Sequence, residues 1–148
     1  MKAPVIAALL SLALSAPALA GTFVYVSNAE DGDIGMYTLL ADGSLQPGQR
    51  FKAEKLVMPM AVSPDKRFLI AAVRFKPLQA YSYSIDKSSG ALNLVGTGTL
   101  AESYPYIALD RSGRFLLGAS YGANQVGVNP VGADGRVGEP LQVIPNGV

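Results

Sequence analysis

Short apolar runs broken by turn residues set the pattern of this chain, and the clearest lies at 58–74, MPMAVSPDKRFLIAAVR. Met58–Val62 reads as one strand and Phe68–Val73 as a second, each apolar, β-forming and too short for a lone helix. Between them Ser63-Pro64-Asp65-Lys66 supplies turn chemistry, since Pro fixes φ and Ser and Asp bond their own backbone. The unit is a β-hairpin, and the chain repeats it. Arg114-Phe115-Leu116 stands 47 residues after Arg67-Phe68-Leu69, and Ala108 stands 47 after Ala61. Upstream, Phe23–Asn28 matches Leu69–Arg74 at an offset of 46. A further turn follows each hairpin, at Asp42-Gly43-Ser44-Leu45, Ser89-Gly90-Ala91-Leu92 and Asp134-Gly135-Arg136-Val137. A period in the mid-forties with about four strands per unit is the pattern of β-propeller blades.

Three such units fill the chain after residue 20. The first predicts strands at Phe23–Ser27, Ile34–Leu39 and Leu45–Phe51. The second predicts Met58–Val62, Phe68–Val73, Leu78–Ile85 and Ala91–Thr97, with Tyr81 and Tyr83 on one face of their strand and Ser82 and Ser84 on the other. The third predicts Tyr106–Leu109, Phe115–Ser120, Gln125–Val131 and, after a turn at Gly135, a last strand ending near Ile144. No long segment of helical period follows residue 20, so the fold class is all-β. Propellers close with about 4–8 blades. The expectation is therefore an incomplete propeller, the front part of a longer one cut after Val148, with open blade edges through which copies could associate. A small β-sandwich is the alternative that the repeat disfavours.

Residues 1–20 differ from the rest. Lys2 is their one charge, Val5–Leu14 is apolar, and Ala18-Leu19-Ala20 has the small-residue form of a cleavage site. This reads as a secretory signal peptide, with a membrane anchor as the alternative and 21–148 as the mature propeller segment. The chain lacks Cys, which suits an exported bacterial protein of the periplasm that uses no disulfides. Beyond residue 20 the eleven basic and eleven acidic residues balance, with no run of like charge. Nothing there favours nucleic acid or an anionic membrane surface as partner.

With the repeat in place, a resemblance becomes specific. Met58–Leu69 followed by Ala72-Val73-Arg74 closely resembles the seven-bladed lactonase family, which includes 6-phosphogluconolactonase of the propeller type and carboxymuconate-cyclising relatives. Arg114–Tyr121 with Asn124-Gln125-Val126 is similar to its third blade, and Tyr25-Val26-Ser27-Asn28 to YVTN-type propeller repeats. The resemblance implies a seven-bladed propeller, of which about three blades are present. It further implies hydrolysis of a sugar lactone such as 6-phosphogluconolactone, without a cofactor. The alternative is a non-catalytic exported propeller that serves as a binding module.

Lactone hydrolysis needs a water, a base for its proton and donors for the tetrahedral oxyanion. An acidic sugar lactone also needs a cation with fork geometry, which Arg provides. In a propeller the ligand sits at a channel mouth, built by the loops that lead into the inner strands and those joining second to third strands. The candidates there are Arg74, Tyr121, Asn124, Asn28 and Glu102. Arg74 reads as an anion ligand or as a tie between neighbouring loops. Tyr121 and Asn124 read as ligand contacts or loop-shaping groups, since Asn adopts left-handed turns readily. Glu102 reads as a general base or a solvated carboxylate. Asp31-Gly32-Asp33 lacks the spacing of a calcium loop and reads as a turn. Gly96-Thr97-Gly98 is placed between strands, outside the setting of a nucleotide site. The tyrosines and phenylalanines are expected to pack between blades. No His occurs, so no metal site of the His/Cys kind and no Ser-His-Asp triad can form within the chain.

Overall fold

The computed structural model describes residues 21–147. The signal-peptide reading, on residues 1–20, lies outside the described residues. The described chain forms three antiparallel meanders. Blade one holds β1 (Thr22–Asn28), β2 (Asp33–Leu39) and β3 (Leu45–Lys52) in that order. Blade two holds β4 (Val57–Val62), β5 (Phe68–Val73), β6 (Gln79–Ile85) and β7 (Leu92–Thr99). Blade three holds β8 (Tyr106–Leu109), β9 (Phe115–Ser120), β10 (Gln125–Pro130) and β11 (Gln142–Pro145). β4 lies beside both β1 and β8, so neighbouring blades meet along their innermost strands. The expected all-β propeller blades are present.

The blade-two sequence shows why these runs become strands. In β5, Leu69, Ala71 and Val73 join a core with Ile34 of blade one, while Ile70 and Ala72 join a second core with Ile107 and Leu116 of blade three. Alternate side chains point to opposite faces, so a strand covered on both faces must be apolar throughout. That is the reason FLIAAV carries no polar residue. Buried side chains such as Leu69 and Ile70 each contribute about 1.5–3 kcal/mol relative to exposure. In β6 the predicted split holds: Tyr81 and Tyr83 pack toward blade one, and Ser82 is fully buried.

The turns follow the Asp/Ser chemistry of the sequence. Ser63 Oγ accepts the backbone N–H of Phe68 at 2.9 Å and donates to Asp65 at 2.6 Å. Asp110 performs the same task in blade three, accepting from the Ser112 hydroxyl at 2.6 Å and the Phe115 N–H at 2.9 Å. The Ser112 hydroxyl is the first cause that holds the Asp110 carboxyl down at about 2.

Three expectations need correction. Gly96-Thr97-Gly98 lies inside β7, not between strands. Its glycines leave room for blade three: a Cβ at Gly98 would collide with the Val137 backbone, and one at Gly96 with the Arg136 guanidinium. The last strand of blade three is not continuous, because Val137 makes only an isolated bridge to Val131 before β11 starts at Gln142. Pro140 has no N–H to give the ladder in the interval. Not every aromatic packs between blades either. Phe75, Tyr106 and Tyr121 are 63%, 67% and 80% exposed.

Candidate functional site

The repeat matches β1, β5 and β9 and sets three residues at equivalent places, each at the end of its strand or just beyond it: Asn28 in blade one, Arg74 in blade two and Tyr121 in blade three. Their loops open on one side of the molecule, together with the loops that lead into β4 and β8. The structure joins three of the five predicted residues. Arg74, Glu102 and Tyr121 line one cleft of about 210 Å³, shared with Ser103, Pro105 and Ser120.

Arg74 is fixed at both ends. Its N–H donates to the Leu56 carbonyl at 3.1 Å, and its Nε donates to Ser103 Oγ at 3.3 Å. Nη1 lies 3.5 Å from the Met58 Sδ. Leu56 itself sits at φ 59°, a left-handed conformation uncommon for a residue with a side chain. Its N–H donates to the Ala29 carbonyl at 2.8 Å. This loop therefore links the blade-one turn to the backbone of Arg74. Among the described residues no carboxylate forms an ion pair with the Arg74 guanidinium. Glu102 points one oxygen at its neighbour's backbone, accepting the Ser103 N–H at 2.7 Å. Glu102 and Arg74 are thus both held by Ser103, one through its amide and one through its hydroxyl. Ser103 is the residue that sequence reasoning missed, since a loop serine carries no signal that it connects two charges.

The other two candidates are occupied elsewhere. Asn28 Nδ2 donates to Asp33 Oδ1 at 2.7 Å and closes its own hairpin. That bond is the first cause that lowers the Asp33 pKa, with Arg50 adding to it. Arg50 also pairs with Asp31 at 2.6 Å, which leaves Asp31-Gly32-Asp33 as a braced turn. Asn124 sits at φ 50° and donates from Nδ2 to the Asn146 carbonyl at 2.6 Å, pinning the chain beyond β11. Both are loop-shaping groups here, and neither lines the Arg74 cleft.

The mouth thus presents a guanidinium, a carboxylate, two serine hydroxyls and an exposed phenol at one seam between blades. A cation and a proton acceptor on one concave surface can bind an acidic solute and take a proton from water. No group of three or more His, Cys, Asp or Glu residues able to hold a metal ion occurs among the described residues.

A repeated four-strand unit with a polar mouth at one end defines a β-propeller sector. The chain belongs to the lactonase family of seven-bladed β-propellers, whose sequence model matches residues 18–147. A 6-phosphogluconolactonase of Pectobacterium carotovorum is 40% identical over 119 residues, which covers 80% of this chain and 35% of the relative. A 6-phosphogluconolactonase of Erwinia tasmaniensis is 40% identical over 121 residues, 82% of this chain and 36% of the relative. The chain therefore spans a little over a third of the length of these curated relatives. Among solved structures, the periplasmic gluconolactonase of Pseudomonas aeruginosa matches with a TM-score of 0.70 and 27% identity, over 82% of this chain and 37% of that one. A Bacteroides fragilis protein shares the fold with a TM-score of 0.75 at 23% identity, over 83% of this chain and 36% of that one.

Proposed function

We propose that this chain supplies three blades, and one sector of the ligand mouth, of an enzyme that hydrolyses a sugar lactone such as 6-phosphogluconolactone. The observation that carries the reading is that the Arg74 guanidinium and the Glu102 carboxylate line one cleft. In the reaction, water adds to the lactone carbonyl and loses a proton. The tetrahedral oxyanion then collapses, the ring C–O bond breaks, and the ring oxygen leaves as the sugar hydroxyl. Glu102 is the cleft's one carboxylate among the described residues and takes the water's proton. Arg74 holds the acidic group of the lactone. The names of the curated relatives support the substrate class.

Kinetics with 6-phosphogluconolactone and with unphosphorylated gluconolactone test this. A charge-assisted contact is worth on the order of 1.5–3 kcal/mol, so Arg74→Ala should raise KM for the phosphorylated lactone about tenfold or more. Arg74→Lys should recover only part, since an ammonium cannot make the bidentate contact. Glu102→Gln should lower kcat and leave KM near its starting value. If Arg74→Ala lowers the melting temperature and leaves the kinetics alone, Arg74 is a loop tie and the binding role is wrong. Saturable binding without turnover would favour the non-catalytic binding module instead.

The proposal extends to export. Lys2, the apolar run after it and Ala18-Leu19-Ala20 support a cleaved signal, and a structural relative is named a periplasmic gluconolactonase. Phosphorylated sugar lactones arise inside cells, which is the reason for assaying both substrates. N-terminal sequencing of the protein from a periplasmic fraction should begin at Gly21. A protein that still starts at Met1 would refute export by cleavage.

A further inference from the structure

The side of the molecule opposite the mouth carries a second concave site, which the lactonase reading does not use. It lies where the hairpin turns of blades two and three meet. Gly113, at φ +70°, lets the blade-three turn come close to Pro64: an added Cβ would stand 3.2 Å from its ring. The cleft beside this contact measures about 390 Å³, within the range of small-molecule sites. Its floor is apolar, made by Phe68, Ile70, Leu109 and Val131. Its rim holds three arginines, Arg67, Arg111 and Arg114, against one carboxylate, Asp65.

The single carboxylate is already committed. Asp65 accepts from Ser63 at 2.6 Å and from Arg67 Nε at 2.5 Å. The other nearby acid of these turns, Asp110, is taken up by the Ser112 hydroxyl and three backbone N–H groups. Arg114 reaches only the Ser112 hydroxyl with its Nε, at 3.3 Å, and extends over the Phe115 ring. Among the described residues no ion pair involves Arg111 or Arg114. Arg67 and Arg114 recur at the 47-residue period, so their presence follows from the turn. Arg111 does not: the matching place in blade two is Pro64. It adds a guanidinium to this seam that the hairpin turn does not require.

We propose that this cleft binds a small organic anion with an apolar body, of the aromatic carboxylate class. The body lies on the floor beside Phe68, and the carboxylate meets Arg111 and Arg114 at the rim. An apolar floor without charge would take neutral solutes equally well, and a charged rim without a floor would take any inorganic anion. The combination selects for both properties. Every lining residue belongs to blades two and three.

Isothermal titration of the full chain with naphthalene-2-carboxylate tests the proposal, with naphthalene-2-methanol as the neutral probe and inorganic phosphate as the bare anion. Saturable one-to-one binding of the carboxylate is expected, with both controls at least fivefold weaker. Arg111→Ala should weaken the carboxylate about tenfold, and Arg111→Glu should abolish its binding. Arg74→Ala, on the opposite side, should leave it unchanged, which separates this test from the lactonase reading. Circular dichroism checks that the exposed Arg111 variants keep their fold. Absence of saturable binding, equal binding of the alcohol, or a titration unchanged by Arg111→Glu in a folded variant would overturn the proposal.

Discussion

Blades two and three fill the same wedge with opposite choices of side chain. In blade two the face turned to blade one takes Val57 at the start of the inner strand, with Ala71 and Tyr81 paired across β5 and β6. At the matching places in blade three stand Tyr104, Gly118 and Gly127, again with the last two directly paired. The large ring has moved from the sheet to the segment before the inner strand. The sheet has lost its side chains to admit it: the Tyr104 ring lies across the two glycines, at 2.5 Å from where a Cβ on Gly118 would stand. What recurs at this period is a space of given size. The residues that fill it are free to trade volume with one another.

The trade alters the polar accounting of the two seams. At the blade-one seam the Tyr25 hydroxyl donates to the Gly90 carbonyl at 2.7 Å, and Tyr83 to the Lys52 carbonyl at 3.2 Å. At the blade-three seam the fully buried Tyr104 hydroxyl and the Ser82 hydroxyl find no hydrogen-bond partner among the described residues. Elsewhere along this seam Asn129 donates to the carbonyls of Thr99 and Gly138 at 2.9 and 2.8 Å, the Thr99 hydroxyl to Glu139 at 3.0 Å and Arg74 to Ser103 at 3.3 Å. The seams therefore differ at their buried hydroxyls: the first pairs those of Tyr25 and Tyr83, and the second leaves those of Tyr104 and Ser82 without a partner.

The largest effect should come from refilling the wedge. In Gly127→Ala the new methyl falls on the Tyr104 hydroxyl. Overpacking of a tight core costs about 1–3 kcal/mol, and this substitution should lie at the upper end, with a fall in Tm of roughly 10 °C. Adding Tyr104→Val, the residue type blade two uses, should return part of that loss. A double-mutant cycle by calorimetry reads the coupling. If the two substitutions simply add, the equivalence of the two wedges is wrong.

How much of this was legible beforehand depends on which property a residue expresses. Strands such as Phe68–Val73 were, because apolar runs between Asp/Ser turns report burial directly. The meeting of Arg74, Glu102 and Tyr121 was legible through the repeat, which sets their loops on one side. The roles of Asn28 and Asn124 were not, since an Asn that bonds a ligand and one that bonds a backbone carbonyl look alike in sequence. Gly96 and Gly98 read as a break between strands, although the chain there is a strand that another blade approaches closely. The exchange of Tyr81 for Tyr104 lay beyond reach for the same reason. Packing partners from different blades are set by three-dimensional registry, and a one-dimensional period reports only the spacing.

The smallest predicted effect is the sharpest for the two seams: the pair Tyr83→Phe and Tyr104→Phe. Both remove one hydroxyl from a buried ring and keep the ring. Tyr83 loses a hydrogen bond and leaves the Lys52 carbonyl with one donor fewer, which costs about 1 kcal/mol. Tyr104 loses a hydroxyl that has no partner, so its removal is neutral or stabilising, by up to about 1 kcal/mol. Titration gives an independent check. Burial is the main cause that pushes the Tyr83 pKa up to about 12, so the folded state favours the protonated phenol. The stability this represents is fully present below the ordinary tyrosine pKa near 10 and is lost as pH rises through about 12. Denaturant melts at pH 9 and pH 11 should therefore show a smaller alkaline loss for Tyr83→Phe than for the unaltered chain. Equal melting of the two Phe variants at neutral pH would mean that the Tyr104 hydroxyl does find a partner, and that the seams differ in shape alone.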